Sequence, residues 1–133
     1  MEHADERLRR QRDATIQAYF VDPISTDTED AWYDGAGHDQ TWSDMLRLQE
    51  SGRHPAAFAA IRCPVRMIHG AEDPHPGASI RASLAPYIPH LEYHELQRCG
   101  HYPWLERGAR EEFLATLRRL LADPPDRDRA TQP

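Results

Sequence analysis

Lysine is absent from this 133-residue chain; all 16 basic residues are arginine. Without lysine there is no Schiff-base nucleophile, no lysine-ligated cofactor and no ammonium for a Walker-type phosphate loop. Cysteine is scarce, with only Cys63 and Cys99. Two thiols cannot staple a disulfide scaffold, and such usage points to a reducing, cytoplasmic setting. No apolar run approaches the ~20 residues that span a bilayer. The acidic start, Met1-Glu2-His3-Ala4-Asp5-Glu6, lacks the apolar core of a signal peptide. Positive charge is also in deficit, with 16 arginines against 22 acidic residues and a net charge of −6. Phosphate backbones call for clustered positive charge, so nucleic acid is not an expected partner, and without a spanning run neither is a membrane.

What is present fits one soluble domain of ordinary size, 39% hydrophobic and 29% charged. Residues 1–12 are mostly charged and predict a solvated helix or a frayed end. Pro23 interrupts a mildly apolar stretch, and a polar, acidic loop follows at 25–30. Asp34-Gly35-Ala36-Gly37 is a turn signal. Thr41 is placed to cap a helix reaching about residue 50, with Trp42, Met45, Leu46 and Gln49 on one face. Pro55 suits the start of a short helix.

The character changes at Pro64. Val65 to Ile68 predicts a strand closed by Gly70, and 76–87 a helix with Ile80, Leu84 and Tyr87 on a stripe. Leu91 to Glu95 alternates with period two and predicts a second strand. The clearest element spans 108–122, where Phe113, Leu114, Leu117, Leu120 and Leu121 form an apolar stripe. Pro124-Pro125 ends it, and the polar residues 123–133 predict a disordered tail. Strand, helix, strand, helix is a parallel β-α-β-α unit, which by itself cannot cover both faces of its strands. The fold class is therefore α/β, as one end of a larger parallel sheet. An uncovered sheet edge also predicts self-association.

Asp73 follows the first strand and His101 the second, where open α/β sheets hold their sites. An Asp that accepts from a His Nδ1 fixes the tautomer and leaves Nε2 as a base. The segment Ile61-Arg62-Cys63-Pro64-Val65-Arg66-Met67-Ile68-His69-Gly70-Ala71-Glu72-Asp73 resembles the acid-bearing strand and loop of the α/β-hydrolase superfamily. Gly100-His101-Tyr102-Pro103-Trp104-Leu105-Glu106 resembles its histidine segment, 28 residues from the acid. The resemblance covers roughly 57–121. It implies the C-terminal portion of a hydrolase of ester, amide or related bonds, with Asp73 as triad acid and His101 as base. Glu72 is the rival acid, but the Gly-x-x-Asp spacing selects Asp73. Glu106 is assigned to starting the last helix. Residues 1–56 would be a helical cap-like segment and linker, and 57–122 the core portion.

The family's nucleophile elbow, Gly-x-Ser-x-Gly, is missing. The serines are Ser25, Ser43, Ser51, Ser79 and Ser83, none between suitably spaced glycines. The chain is expected to be inactive alone and to meet a small-molecule substrate only when an upstream part completes it. A Cys99 nucleophile is a weaker reading, since it and His101 are i, i+2 neighbours that rarely face each other and Cys63 and Cys99 are expected as small core residues. So is a metal site from His69, His75, His94 and His101, since no His-Glu-x-x-His or Cys-x-x-Cys spacing occurs. No cofactor or metal is implied. Trp42, Met45, Tyr102 and Trp104 are candidates for lining a substrate pocket. The competing reading is a non-catalytic remnant or partner-dependent interaction module.

Overall fold

A two-stranded parallel sheet is formed in the computed structural model, which describes residues 3–26 and 33–122. Most of the loop expected at 25–30, and all of the tail at 123–133, fall outside the described residues. Helix α1 spans Ala4–Thr15 and runs into a 3-10 turn, Ile16–Tyr19. Helix α2 spans Gly35–Glu50, α3 Arg53–Ala57, β1 Arg66–Gly70, α4 Gly77–Leu84, β2 Glu92–Leu96 and α5 Arg110–Ala122. Five α-helices with a parallel pair of strands make the described fold α/β in kind.

Two boundaries and the exposure of two residues differ from the sequence expectation. Helix α2 begins at Gly35 instead of Thr41, because the Asp34 side chain accepts the Gly37 N–H at 2.8 Å and caps the first turn. The glycines that suggested a turn lie inside the helix. A Cβ at Gly35 would sit 2.3 Å from the Ala4 carbonyl carbon, so glycine there lets α2 meet α1. Helix α4 stops at Leu84, two residues ahead of Pro86. In α5, Phe113 and Leu120 turn inward, but Leu121, in the last turn of the helix, is exposed. Cys63, expected in the core, is exposed.

The strands pair in register from Arg66 opposite Glu92 to Gly70 opposite Leu96. Glu92 N–H donates to the Val65 carbonyl (3.0 Å) and Ala71 N–H to the Leu96 carbonyl (2.9 Å). Odd-numbered residues of β1 thus face β2. The amides and carbonyls of Arg66 and Ile68 point to the other edge, where they have no backbone partner among the described residues. Leu96, Cys99 and Ala109 form the buried core, packed by Ile68 and Phe113. The Arg66 guanidinium reaches the Leu120 carbonyl, tying β1 to the C-terminal end of α5.

The loops leaving the two strands are hooked together. Glu72 N–H donates to the Cys99 carbonyl at 2.9 Å. A Cβ at Gly70 would stand 2.1 Å from the Gly100 carbonyl oxygen, so only glycine lets the loops close this tightly.

Candidate active site

That closure brings Asp73 and His101 together. Asp73 Oδ2 lies 2.8 Å from His101 Nδ1. The Asp73 side chain is 3% exposed and that of His101 40% exposed. A carboxylate facing Nδ1 accepts, so Nδ1 carries the hydrogen and Nε2 presents a lone pair. Asp73 is further held by the His75 N–H, which donates to Oδ1 at 2.8 Å, and its own N–H reaches the Gly70 carbonyl at 3.3 Å. Glu72 is exposed, and its part in joining the loops is played by its backbone.

His101 sits between two tyrosines. Tyr19 and Tyr102 each meet its ring edge-on, with centroids 5.0 Å away. The His75 ring lies 5.9 Å from it, and the Tyr19 hydroxyl is 3.3 Å from His75 Nε2. His101 N–H donates to the Tyr19 carbonyl at 2.8 Å. A Cβ at Gly100 would stand 2.2 Å from that carbonyl oxygen, which accounts for glycine before the histidine.

The buried carboxylate of Glu106 anchors this arrangement. Oε1 accepts Val21 N–H (2.8 Å) and Gly100 N–H (3.1 Å), and Oε2 accepts Asp22 N–H (2.8 Å). Its backbone carbonyl takes the Arg110 N–H at the head of α5, as the sequence suggested, but its side chain joins the 19–24 segment to the histidine loop. Ile24 N–H to Leu105 and Arg107 N–H to Asp22 complete the seam. Sequence reasoning missed Tyr19 and this use of Glu106. Both act on backbone groups far along the chain, and no local pattern marks them.

The four pocket candidates divide. Tyr102 packs on His101, and Trp104 meets Tyr102 at 5.7 Å while 48% exposed. Trp42 is 55% exposed and stacks on His38 of its own helix. No hydrogen bond or ring contact joins Trp42 or Met45 to His101 among the described residues; α2 packs on α1 and α3 instead.

Cys99 does not have the character of an activated thiol. It is fully buried, and burial foremost, then the charges of Glu106 and Asp73, push its pKa up to about 11. Ser43 and Ser83 donate to carbonyls of their own helices, and Ser51, just past α2, to the Leu48 carbonyl. Among the described residues no group of three or more His, Cys, Asp or Glu side chains is arranged to hold a metal ion. None of their helices is long and apolar enough to cross a membrane.

No protein-family model matches the chain, and neither a curated protein nor a solved structure is significantly similar to it.

Proposed function

We propose that this chain carries the acid–base half of a hydrolase acting through a nucleophile, His101 and Asp73 on an ester, amide or related bond. The observation that carries the reading is the 2.8 Å contact between Asp73 and His101 Nδ1, made by loops that leave neighbouring parallel strands. In the reaction, His101 Nε2 takes the proton of an attacking hydroxyl and returns it to the leaving group. It then repeats both transfers with water. Asp73 holds the tautomer and stabilises the imidazolium. The resemblance of 61–73 and 100–106 to the α/β-hydrolase superfamily supports the same assignment. The nucleophile and oxyanion donors belong to a further part of the sheet, which would join at the open edge of β1 and complete a site for a small molecule. No cofactor or metal enters the scheme, and two free thiols accord with the cytoplasm.

A nitrophenyl ester assay on the chain, His101→Ala and Asp73→Asn tests this. The expected result is slow turnover without a burst, falling at least about tenfold in His101→Ala, a typical general-base contribution being larger still. Equal rates in all three proteins would refute the assignment of His101 as base. A stoichiometric burst would instead locate a nucleophile within the chain and overturn the half-site reading, with Ser79 the first residue to replace.

The backbone groups of Arg66 and Ile68, which have no backbone partner among the described residues, favour a second reading, a module that acts by recruiting another chain to its sheet edge.

A further inference from the structure

Asp73 is met by two imidazoles. His69, on β1, brings Nε2 to 2.7 Å from the His75 carbonyl oxygen and 3.3 Å from Asp73 Oδ2. A carbonyl oxygen only accepts, so His69 holds its hydrogen on Nε2. The ring is 13% exposed and occupies a slot that exists because residue 77 is glycine; a Cβ there would stand 2.5 Å from His69 Cδ2 and 2.5 Å from the Tyr93 hydroxyl.

The chain around the acid makes this contact consequential. Asp73-Pro74-His75-Pro76 offers few backbone donors, since neither proline has an N–H. The His75 N–H is turned inward on Asp73 Oδ1. Among the described residues, the donor that meets the His75 carbonyl is the His69 ring. We propose that His69 is a positioning residue for the Asp73–His101 pair. Its one N–H grips the 73–75 turn through the His75 carbonyl and lies against Asp73 Oδ2, so the carboxylate stays aimed at His101 Nδ1. Its catalytic meaning rests on the reading of His101 as a base; the geometric claim does not.

The test is nitrogen-15 NMR of the histidine-labelled full chain, which reads tautomers without any substrate. In the wild type, His69 is expected as the Nε2–H tautomer and His101 as the Nδ1–H tautomer. His69→Phe keeps a ring in the slot and removes the donor. Hydrogen exchange at His101 Nδ1 should then speed about tenfold, the size of one net hydrogen bond, and its Nε2–H tautomer should become populated. His69→Gln, whose amide N–H reaches toward the same carbonyl, should restore the wild-type pattern. An Nδ1–H tautomer at His69 in the wild type overturns the proposal whether or not the Phe variant folds. So does a folded Phe variant with His101 unchanged, or a folded Gln variant that behaves as Phe does. Failure of the ester assay with these signals intact would overturn the hydrolase reading alone.

Discussion

Removing the Glu106 carboxylate should unfasten the N-terminal segment from the histidine loop. In Glu106→Ala three backbone N–H groups lose their acceptor. Gly100 is buried, and an unsatisfied buried donor costs about 1–3 kcal/mol. Val21 and Asp22 are exposed, so water replaces part of what they lose, leaving about 0.5–1.5 kcal/mol each. The expected destabilisation is about 4 kcal/mol, a large share of the ~5–15 kcal/mol that holds a domain folded. Glu106→Gln is a graded control. Its carbonyl oxygen can keep the Val21 and Gly100 bonds, while its NH2 faces the Asp22 N–H donor to donor. That variant should lose about 1–2 kcal/mol. Urea denaturation measures both values, with an unchanged slope showing that the transition itself is the same. Amide exchange at His101, whose N–H is bonded to the Tyr19 carbonyl, should accelerate in the order wild type, Gln, Ala. Two variants within ~0.5 kcal/mol of the wild type would refute the anchoring role, because that is the range of surface substitutions without such contacts.

Stability should fall in alkali. Burial raises Cys99 from its ordinary 9.0 to about 11, and burial with the Glu95 hydrogen bond raises Tyr93 from 10.0 to about 12. The folded state keeps these protons where the unfolded chain has released them. Their contribution is therefore complete below pH 9 and is lost as pH rises through 11 to 12. Urea midpoints recorded across that window check it, and a flat profile would contradict it; Cys99→Ala should remove the earlier part of the fall. Because the backbone groups of Arg66 and Ile68 have no backbone partner among the described residues, sedimentation velocity should show concentration-dependent association. A monomer at every concentration, melting in one sharp transition, would show that the two-stranded sheet is sufficient in itself.

Much of the local structure is written in short stretches of sequence. Pro64 and Gly70 bracket an apolar run, Leu91 to Leu96 alternates, and Phe113 to Leu120 repeats at helical spacing; periodicity and turn residues act within a few positions. Asp73 and His101 were legible from their places in the loops after the two strands, together with the resemblance of 61–73 and 100–106 to the α/β-hydrolase superfamily. The start of α2 was not, because an Asp34 cap overrode two glycines that usually mark a turn. Trp42 and Met45 share a helix face, but a shared face does not say which site it meets, and α2 packs elsewhere. Tertiary structure alone decided the rest. The carbonyl of Tyr19 under the His101 amide, the three amides on Glu106 and the carbonyl of His75 on His69 join backbone to backbone or backbone to side chain across the fold. Every residue except proline carries the same N–H and C=O, so such bonds leave no mark in the sequence, and only packing determines which of them meet.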